Sequence, residues 1–279
     1  MNSKSIESGG LRNRGLIKKS TDQKPLISIV TVVYNAASTL EATILSTIHQ
    51  TYENFEYIIV DGGSTDGTLD IIKKYEDRID YWISEPDKGL YYAMNKGINL
   101  ANGDWINFMN SGDSFYQNEV LTEMFKQAHQ DVDVIYGDVM FSFDGTNAVH
   151  VKARTLDYFW KGMPFVHQTS FVRTALMKKH PFDVYYKLIA DYSSLYNMYL
   201  DGAKFKYLEK IVCNFRAGGL SDNNPESIAE CQRMIFVKHR GINVKLYYYK
   251  RYVECFVKYN FAKLIGQNNY ARLRKIKNK

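Results

Sequence analysis

The stretch Phe55 to Thr68, FEYIIVDGGSTDGT, restricts what this chain can fold into more than any other. Tyr57 to Val60 is a short apolar run rich in β-branched residues, the pattern of a buried strand. Asp61 ends it, and Gly62, Gly63, Ser64, Thr65, Asp66 and Gly67 follow as a turn cluster. A helix is expected next, with Ser64 or Asp66 as N-cap and Leu69, Ile71 and Ile72 as its first apolar residues. One carboxylate therefore stands at the carboxyl end of a strand, beside glycines that permit close approach. Open α/β sheets bind ligands at that place. An ordinary strand–turn–helix with a capping Asp has the same local pattern, so the rest of the chain must decide.

It repeats the unit. Leu26 to Tyr34, LISIVTVVY, has the near-continuous apolar pattern of a central parallel strand buried on both faces. It ends at Asn35, and Ser38 is expected to cap a helix with Leu40, Ile44, Leu45 and Ile48 on one face. Ile79 to Ser84 is a third strand, followed by the turn Glu85 to Gly89 and a helix over Leu90 to Ala101. Trp105 to Met109 is a fourth strand, ending in Asn110, Ser111, Gly112 and Asp113. Strands each followed by a helix indicate an α/β sheet. The second half changes character. Val132 to Phe143 and Ala148 to Arg154 flank a hairpin loop, Asp144 to Asn147. Phe165 to Val172 is apolar, Leu188 to Leu200 is helical, Phe205 to Phe215 is strand-like, and the chain is helical from Glu226.

Charge is unevenly placed. The net charge is +6, yet residues 1–24 carry +4 and residues 238–279 carry +11, which leaves the middle at −9. Residues 1–24 are read as a flexible tail, 25–225 as the main domain and 226–279 as a helical basic C-terminal extension. Cys213, Cys231 and Cys255 form no CxxC pair, so they are read as reduced cytosolic thiols and not as a zinc site. No apolar run reaches membrane-spanning length, and the N-terminus lacks a signal-peptide core.

The first strand is followed by NAAST and not by GxGxxG, which excludes a dinucleotide cradle; a P-loop lysine motif is also missing. What remains is acidic groups at strand ends: Asp61, Asp113 and, as further candidates, Asp104 and Asp138. A carboxylate beside an anionic ligand calls for a cation between them. Oxygen ligands of this kind suit magnesium or manganese bridging Asp113 to a diphosphate.

The runs ISIVTVVYNAASTLEATILS, YIIVDGGSTDGT and SEPDKGLYYAMNKGINLANGDWINFMNSGD together resemble glycosyltransferase family 2, nearest to bacterial members that build surface polysaccharides. The resemblance covers about residues 26–220. It implies a GT-A fold: an α/β architecture with a mostly parallel nucleotide-binding sheet flanked by helices. It further implies inverting transfer of a sugar from a nucleotide-diphosphate donor to a lipid-linked or growing saccharide acceptor, in a cytoplasmic enzyme peripheral at the inner membrane face. On this resemblance Val33, Tyr34, Asn35, Asp61, Gly62 and Ser64 serve the nucleotide, with Asp61 accepting from its ring N–H. Asp87, Lys88 and Gly89 lie near nucleotide and metal, and Asn95 belongs to the same run. Asn110, Ser111, Gly112 and Asp113 stand where the family commonly carries DxD and a further acid, so metal binding rests on Asp113 alone. Tyr92 stands where similar sequences often carry Asp. Asp191, in LIADYSSLY, matches the family's catalytic base; the residues alone also allow a helix cap. His167 and Gln168 resemble a motif serving diphosphate, acceptor or metal, and Arg216 with Gly218 and Gly219 resembles a loop closing over the substrates. A non-catalytic nucleotide-sugar or glycan-binding protein is the competing expectation, favoured by the missing acids.

The aromatic residues of 238–279 interleave with lysine and arginine, which suits either an anionic membrane surface or a helix packed onto the catalytic domain. A nucleic-acid partner is not expected, since nothing else resembles a nucleic-acid fold.

Overall fold

The computed structural model describes residues 6–21, 24–127, 129–142, 148–216 and 224–265, with side chains to 261. In chain order the strands are β1 (Glu7–Gly9), β2 (Ile27–Val33), β3 (Phe55–Asp61), β4 (Tyr81–Ser84), β5 (Trp105–Phe108), β6 (Ser114–Phe115), β7 (Val134–Ser142), β8 (Ala148–Val151), β9 (Ser170–Arg173) and β10 (Phe205–Arg216). The helices are α1 (Ala37–Ile48), α2 (Thr68–Lys74), α3 (Leu90–Leu100), α4 (Val120–Met124), α5 (Thr174–Lys179), α6 (Ala190–Leu200), α7 (Pro225–Lys238) and α8 (Ile242–Ile265). The strands lie in the order β1-β4-β3-β2-β5-β9-β7-β10-β6, with β8 on β7. The central β4-β3-β2-β5 group is parallel, and antiparallel pairs join it on both sides.

Alternation along the strands divides the core. Val30, Val32, Ile58 and Val60 face α3, packing with Met94 and Ile98. Ile27, Ile29, Val33, Tyr57 and Ile59 face α1, packing with Leu40, Ile44 and Ile48. Both strands are buried on both faces, which explains their unbroken apolar sequence. Gly97 lets α3 come this close: a Cβ there would sit 2.5 Å from Val30 Cγ1.

Three sequence expectations are corrected here. First, the part of 1–24 that is described is not a tail. Glu7, Ser8 and Gly9 pair with Ser84, Ile83 and Trp82. Arg12 then bonds Glu56 and Lys18 bonds Asp80, two carboxylates buried beneath the segment. Second, Ser38 does not cap α1, whose N-cap is Ala36 without a side-chain cap bond. Asp66 from the next loop accepts from the Ala37 N–H instead, at 3.1 Å, and also from the Thr68 N–H at the start of α2. Third, Asp104 and Asp138 are structural. Asp104 accepts from the Leu26 N–H, while Asp138 accepts from the Ala153 N–H, the Tyr207 hydroxyl and His150.

The C-terminal helices are partly integrated. Ile228, Met234 and Ile235 of α7 and Tyr248 of α8 belong to the same core as α3 and α6. No described helix is long and apolar enough to cross a membrane. Asp144 to Asn147 and the segment Arg272 to Lys279 lie outside the described residues.

Candidate active site

The parallel strands end together. Val33 is in register with Asp61, and Asp61 with Ser84. Above these ends lies a cleft of about 1330 Å³. Its wall includes Val33, Tyr34, Gly62, Asp87, Lys88, Gly89, Asn110, Ser111, Gly112, Asp113, His167, Gln168, Asp191 and Arg216. Fourteen residues singled out in the sequence thus converge on one site, although they are spread from 33 to 216.

Asn35, Asp61, Ser64 and Asn95 do not line it, and each has a positioning job. The Asp61 carboxylate is fully buried. It accepts from the Gly63 N–H at 3.2 Å, the Ser64 N–H at 3.0 Å, the Ser64 hydroxyl at 2.5 Å and the Ser84 hydroxyl at 2.6 Å. Its oxygens are thus turned to the polypeptide, and direct acceptance from a nucleotide base is not what this arrangement displays. Asn35 adopts a left-handed backbone, φ 47°. Its side chain accepts from the Thr65 N–H and its N–H donates to Ser64 Oγ, so the two strand-end loops brace one another. Asn95 clamps α3 to the chain at Phe182 through both backbone groups of that residue.

The turn after β5 is held from α1. Thr43 Oγ1 donates to the Asp113 carbonyl at 2.7 Å and accepts from the Gly112 N–H, while Gly112 takes φ 100°. Asp113 is 7% exposed and accepts from Gln168 Nε2 at 2.7 Å and the Arg216 N–H at 3.3 Å. Burial pushes its carboxyl up to about 6, against the pull of those two donors and of His167. Asp87 is held on one oxygen by Lys96 at 2.9 Å.

Asp191 occupies the first turn of α6, where the helix N-terminus favours a negative charge. Tyr91, in the first turn of α3, donates its hydroxyl to Oδ1 at 2.9 Å. His167 Nδ1 bonds Oδ2 at 2.9 Å. On the other side of the ring, His167 Nε2 lies 3.2 Å from the Asn110 side-chain amide. Burial pushes the Asp191 carboxyl up, but His167 and Tyr91 outweigh it and hold the group below the usual carboxylate range. The result is an ionised carboxylate fixed on the cleft wall by Tyr91 and His167, neighbours from two other parts of the chain. A residue serving only as a cap needs no such support.

Oxygen donors are available for a hard cation. Besides Asp113, the amide oxygens Asn110 Oδ1 and Gln168 Oε1 and the carboxylate oxygen Asp87 Oδ2 are buried with no hydrogen-bond partner among the described residues. That set fits magnesium or manganese completed by substrate oxygens better than it fits a cage made only of protein. No group of three acidic, His or Cys side chains suited to a metal occurs among the described residues.

Tyr91 escaped the sequence reading, as did Lys187, Leu188 and Met163, which also line the cleft. The one signal for Tyr91 is its place in the helical turn that follows Asp87 to Gly89. Tyr92 does not line the cleft; Lys88 Nζ lies 6.0 Å from its ring centroid. Gly218 and Gly219 lie outside the described residues.

A sheet of this order with a strand-end cleft defines the GT-A class, and solved structures bear this out. The chain aligns with Staphylococcus aureus TarS 1-349 in complex with UDP at TM-score 0.60 and 21% identity, over 76% of this chain and 64% of that one. It aligns with the mannosyltransferase PcManGT from Pyrobaculum calidifontis, in complex with GDP-Man and Mn2+, at TM-score 0.59 and 16% identity, over 80% and 66%. The Glycosyl transferase family 2 profile matches residues 28–191, and the chain belongs to that family. A PGL/p-HBAD biosynthesis glycosyltransferase of Mycobacterium bovis is 32% identical over 206 residues, 71% of this chain and 80% of the relative. The putative teichuronic acid biosynthesis glycosyltransferase TuaG of Bacillus subtilis is 32% identical over 142 residues, 50% and 54%.

Proposed function

We propose that this glycosyltransferase moves a sugar from a nucleotide-diphosphate donor with inversion, using Asp191 as the base, to a saccharide or lipid-linked saccharide of a bacterial surface polymer. The observation that carries the reading is the Asp191 carboxylate, kept ionised and held on both oxygens at the wall of the strand-end cleft. An acceptor hydroxyl is a poor nucleophile, and a carboxylate that takes its proton in the transition state is a direct remedy. The acceptor oxygen bonds to the sugar C1 as the C1–phosphate oxygen bond breaks. The proton passes to Asp191, and the nucleoside diphosphate leaves with the bonding pair. His167, bonded through Nδ1 to Asp191, supports the base.

The donor's nucleotide rests on Val33, Tyr34 and Gly62 at the carboxyl ends of β2 and β3. Its diphosphate lies toward Lys88, Arg216 and the turn Asn110 to Asp113. A divalent cation, when bound, is held by Asp113 with Asn110 and Gln168 and supplies charge neutralisation for the leaving diphosphate. Names of relatives support the polymer context: PGL/p-HBAD biosynthesis and teichuronic acid biosynthesis. Solved neighbours bound to UDP-GlcNAc and to GDP-Man support a nucleotide-sugar donor. The basic aromatic helix α8 supports an inner-face, peripheral location.

The test begins with UDP-, GDP- and dTDP-sugars, with and without manganese, screened by thermal shift and then by donor hydrolysis. Asp191→Asn should lower turnover of the accepted donor by roughly 10²–10⁴ while nucleotide affinity stays within a few-fold. Binding of a nucleotide sugar with no turnover in either protein would leave a non-catalytic binding protein.

A further inference from the structure

A second cavity of about 360 Å³ lies between the catalytic fold and the C-terminal helices. It shares Met163, Leu188 and Asp191 with the donor cleft, so the two spaces meet at the carboxylate that takes the acceptor's proton. Its other walls include Cys231 of α7 and Arg251, Cys255 and Lys258 of α8.

The charges there have a definite arrangement. Arg251 is half-buried, anchored by Nη1 donating to the Lys161 carbonyl at 2.7 Å, with the Tyr247 ring 5.8 Å away. Its bonds to the Lys161 carbonyl and the Tyr247 hydroxyl still leave part of a five-donor guanidinium for other partners. Lys258 is exposed at the rim, about two turns further along the same helix. Glu254 also lines the rim, within 4.0 Å of Lys250 on the outer side of α8. Arg251 and Lys258 line this pocket together with the carboxylates of Asp191 and Glu254, and the two cations suit an anion on the acceptor. Guanidinium is the side chain best matched to phosphate oxygens.

We propose that this α7–α8 pocket is the acceptor subsite, in which Arg251 and Lys258 receive the phosphate or diphosphate of a phosphorylated acceptor whose hydroxyl reaches Asp191. The proposal rests on the reading of Asp191 as base, yet it can fail separately, because occupancy of the pocket can be read without turnover.

Cys255 provides that reading. It lines the pocket and is half-buried, whereas Cys213 and Cys231 are buried. Its maleimide labelling is followed by mass spectrometry in the full chain, with the donor cleft filled by the nucleoside diphosphate of the accepted donor. Inorganic pyrophosphate and geranyl diphosphate are the probes. Either should slow Cys255 labelling at least threefold, with Lys258→Gln and Arg251→Gln each cutting the protection by half or more. Protection by both probes identifies the charged group as the ligand, and protection by geranyl diphosphate alone identifies a lipid-borne one. Lys258→Gln is the variant least able to disturb folding, and circular dichroism melting checks both. Labelling unchanged by either probe, or protection unaltered in both folded variants, overturns the proposal. Loss of donor hydrolysis in Asp191→Asn with no Cys255 protection would sink the subsite and leave the base assignment standing.

Discussion

At the scale of single residues, the site is built from side chains that tune one another. Tyr91 is the plainest case. Its hydroxyl gives Asp191 one of its two strongest stabilising contacts, and a hydrogen bond to a charged group contributes about 1.5–3 kcal/mol. Tyr91→Phe should therefore lower the rate about tenfold or more, with the fold and nucleotide affinity kept. Equal rates for the two proteins would show that His167 alone holds the base. Asp113 is tuned the opposite way. Burial raises its carboxyl from 3.8 to about 6, so the folded protein binds that proton more tightly than the unfolded chain does. Its contribution to stability is then best below pH 4, declines as pH rises from about 4 to 6, and is a full penalty above 6. A shift of this size corresponds to roughly 3 kcal/mol. Asp113→Asn should melt higher than the parent at pH 7.5 without metal, and the gap should close by pH 4. Manganese should raise the parent's melting temperature at pH 7.5, and do so less below pH 6, where the carboxylate is protonated. A variant that melts lower at pH 7.5 would mean that Gln168 and the Arg216 N–H already offset the buried charge. These effects were only half legible in the sequence. The spacing of strand ends predicts where Asp61, Asp113 and Asn110 stand, but the burial of Asp61 and the hydroxyl from Tyr91 depend on how α3 packs, which no local pattern encodes.

At the scale of elements, the strands and long helices were readable because apolar period and turn chemistry agree over Leu26 to Met109. The N-terminal segment was not readable, because its polar composition hides a pairing role. β1 is three residues long and apolar alternation is absent from it. What ties the segment down is charge: Arg12 on Glu56, whose carboxylate also accepts from the Asn102 and Gly103 N–H groups, and Lys18 on Asp80 at 3.0 Å. Both partners are buried, Glu56 in β3 and Asp80 just before β4, and their cations arrive from a stretch distant in sequence. Removing one partner of a buried pair typically costs 3–5 kcal/mol, since the remaining charge loses its compensation. Arg12→Ala should accordingly lower the melting temperature by roughly 10 °C, at about 2–4 °C per kcal/mol for a chain of this size. Adding Glu56→Gln should recover part of the loss by removing the stranded charge. No recovery, or a melting temperature unchanged in Arg12→Ala, would show that the segment lies on the sheet without supporting it. Short elements β6, α4 and α5 were also beyond the sequence pattern, being too brief to show a period.

At the scale of the whole molecule, α8 presents two faces of different character. Tyr248 is fully buried and donates its hydroxyl to the Trp160 carbonyl, and Tyr247 donates to the Lys161 carbonyl. That face is packing, as one of the two sequence expectations had it. The opposite face carries Ile242, Leu246, Tyr249, Val253, Phe256 and Val257, spaced three or four apart and all exposed, with Tyr249 at 67%. We propose that this stripe, flanked by Lys245 and Lys250, lies in a membrane interface. The segment from 238 onward adds a net charge of +11. An anionic surface contributes roughly 1 kcal/mol for each basic residue near it, and salt screens this within a Debye length. The apolar stripe adds a part that salt does not screen. Sedimentation with vesicles separates the two. Binding should rise with anionic lipid, fall with added salt to a residual level, and weaken when residues 268–279 are removed. Leu246→Asp with Phe256→Asp should abolish the residual at high salt while donor hydrolysis in solution stays unchanged, since neither residue lines the cleft or the α7–α8 pocket. A lipid-linked acceptor in the same vesicles should then be glycosylated more slowly by that variant, and a soluble acceptor at the parental rate. Equal binding of parent and variant to neutral and anionic vesicles alike would overturn a membrane role for the stripe.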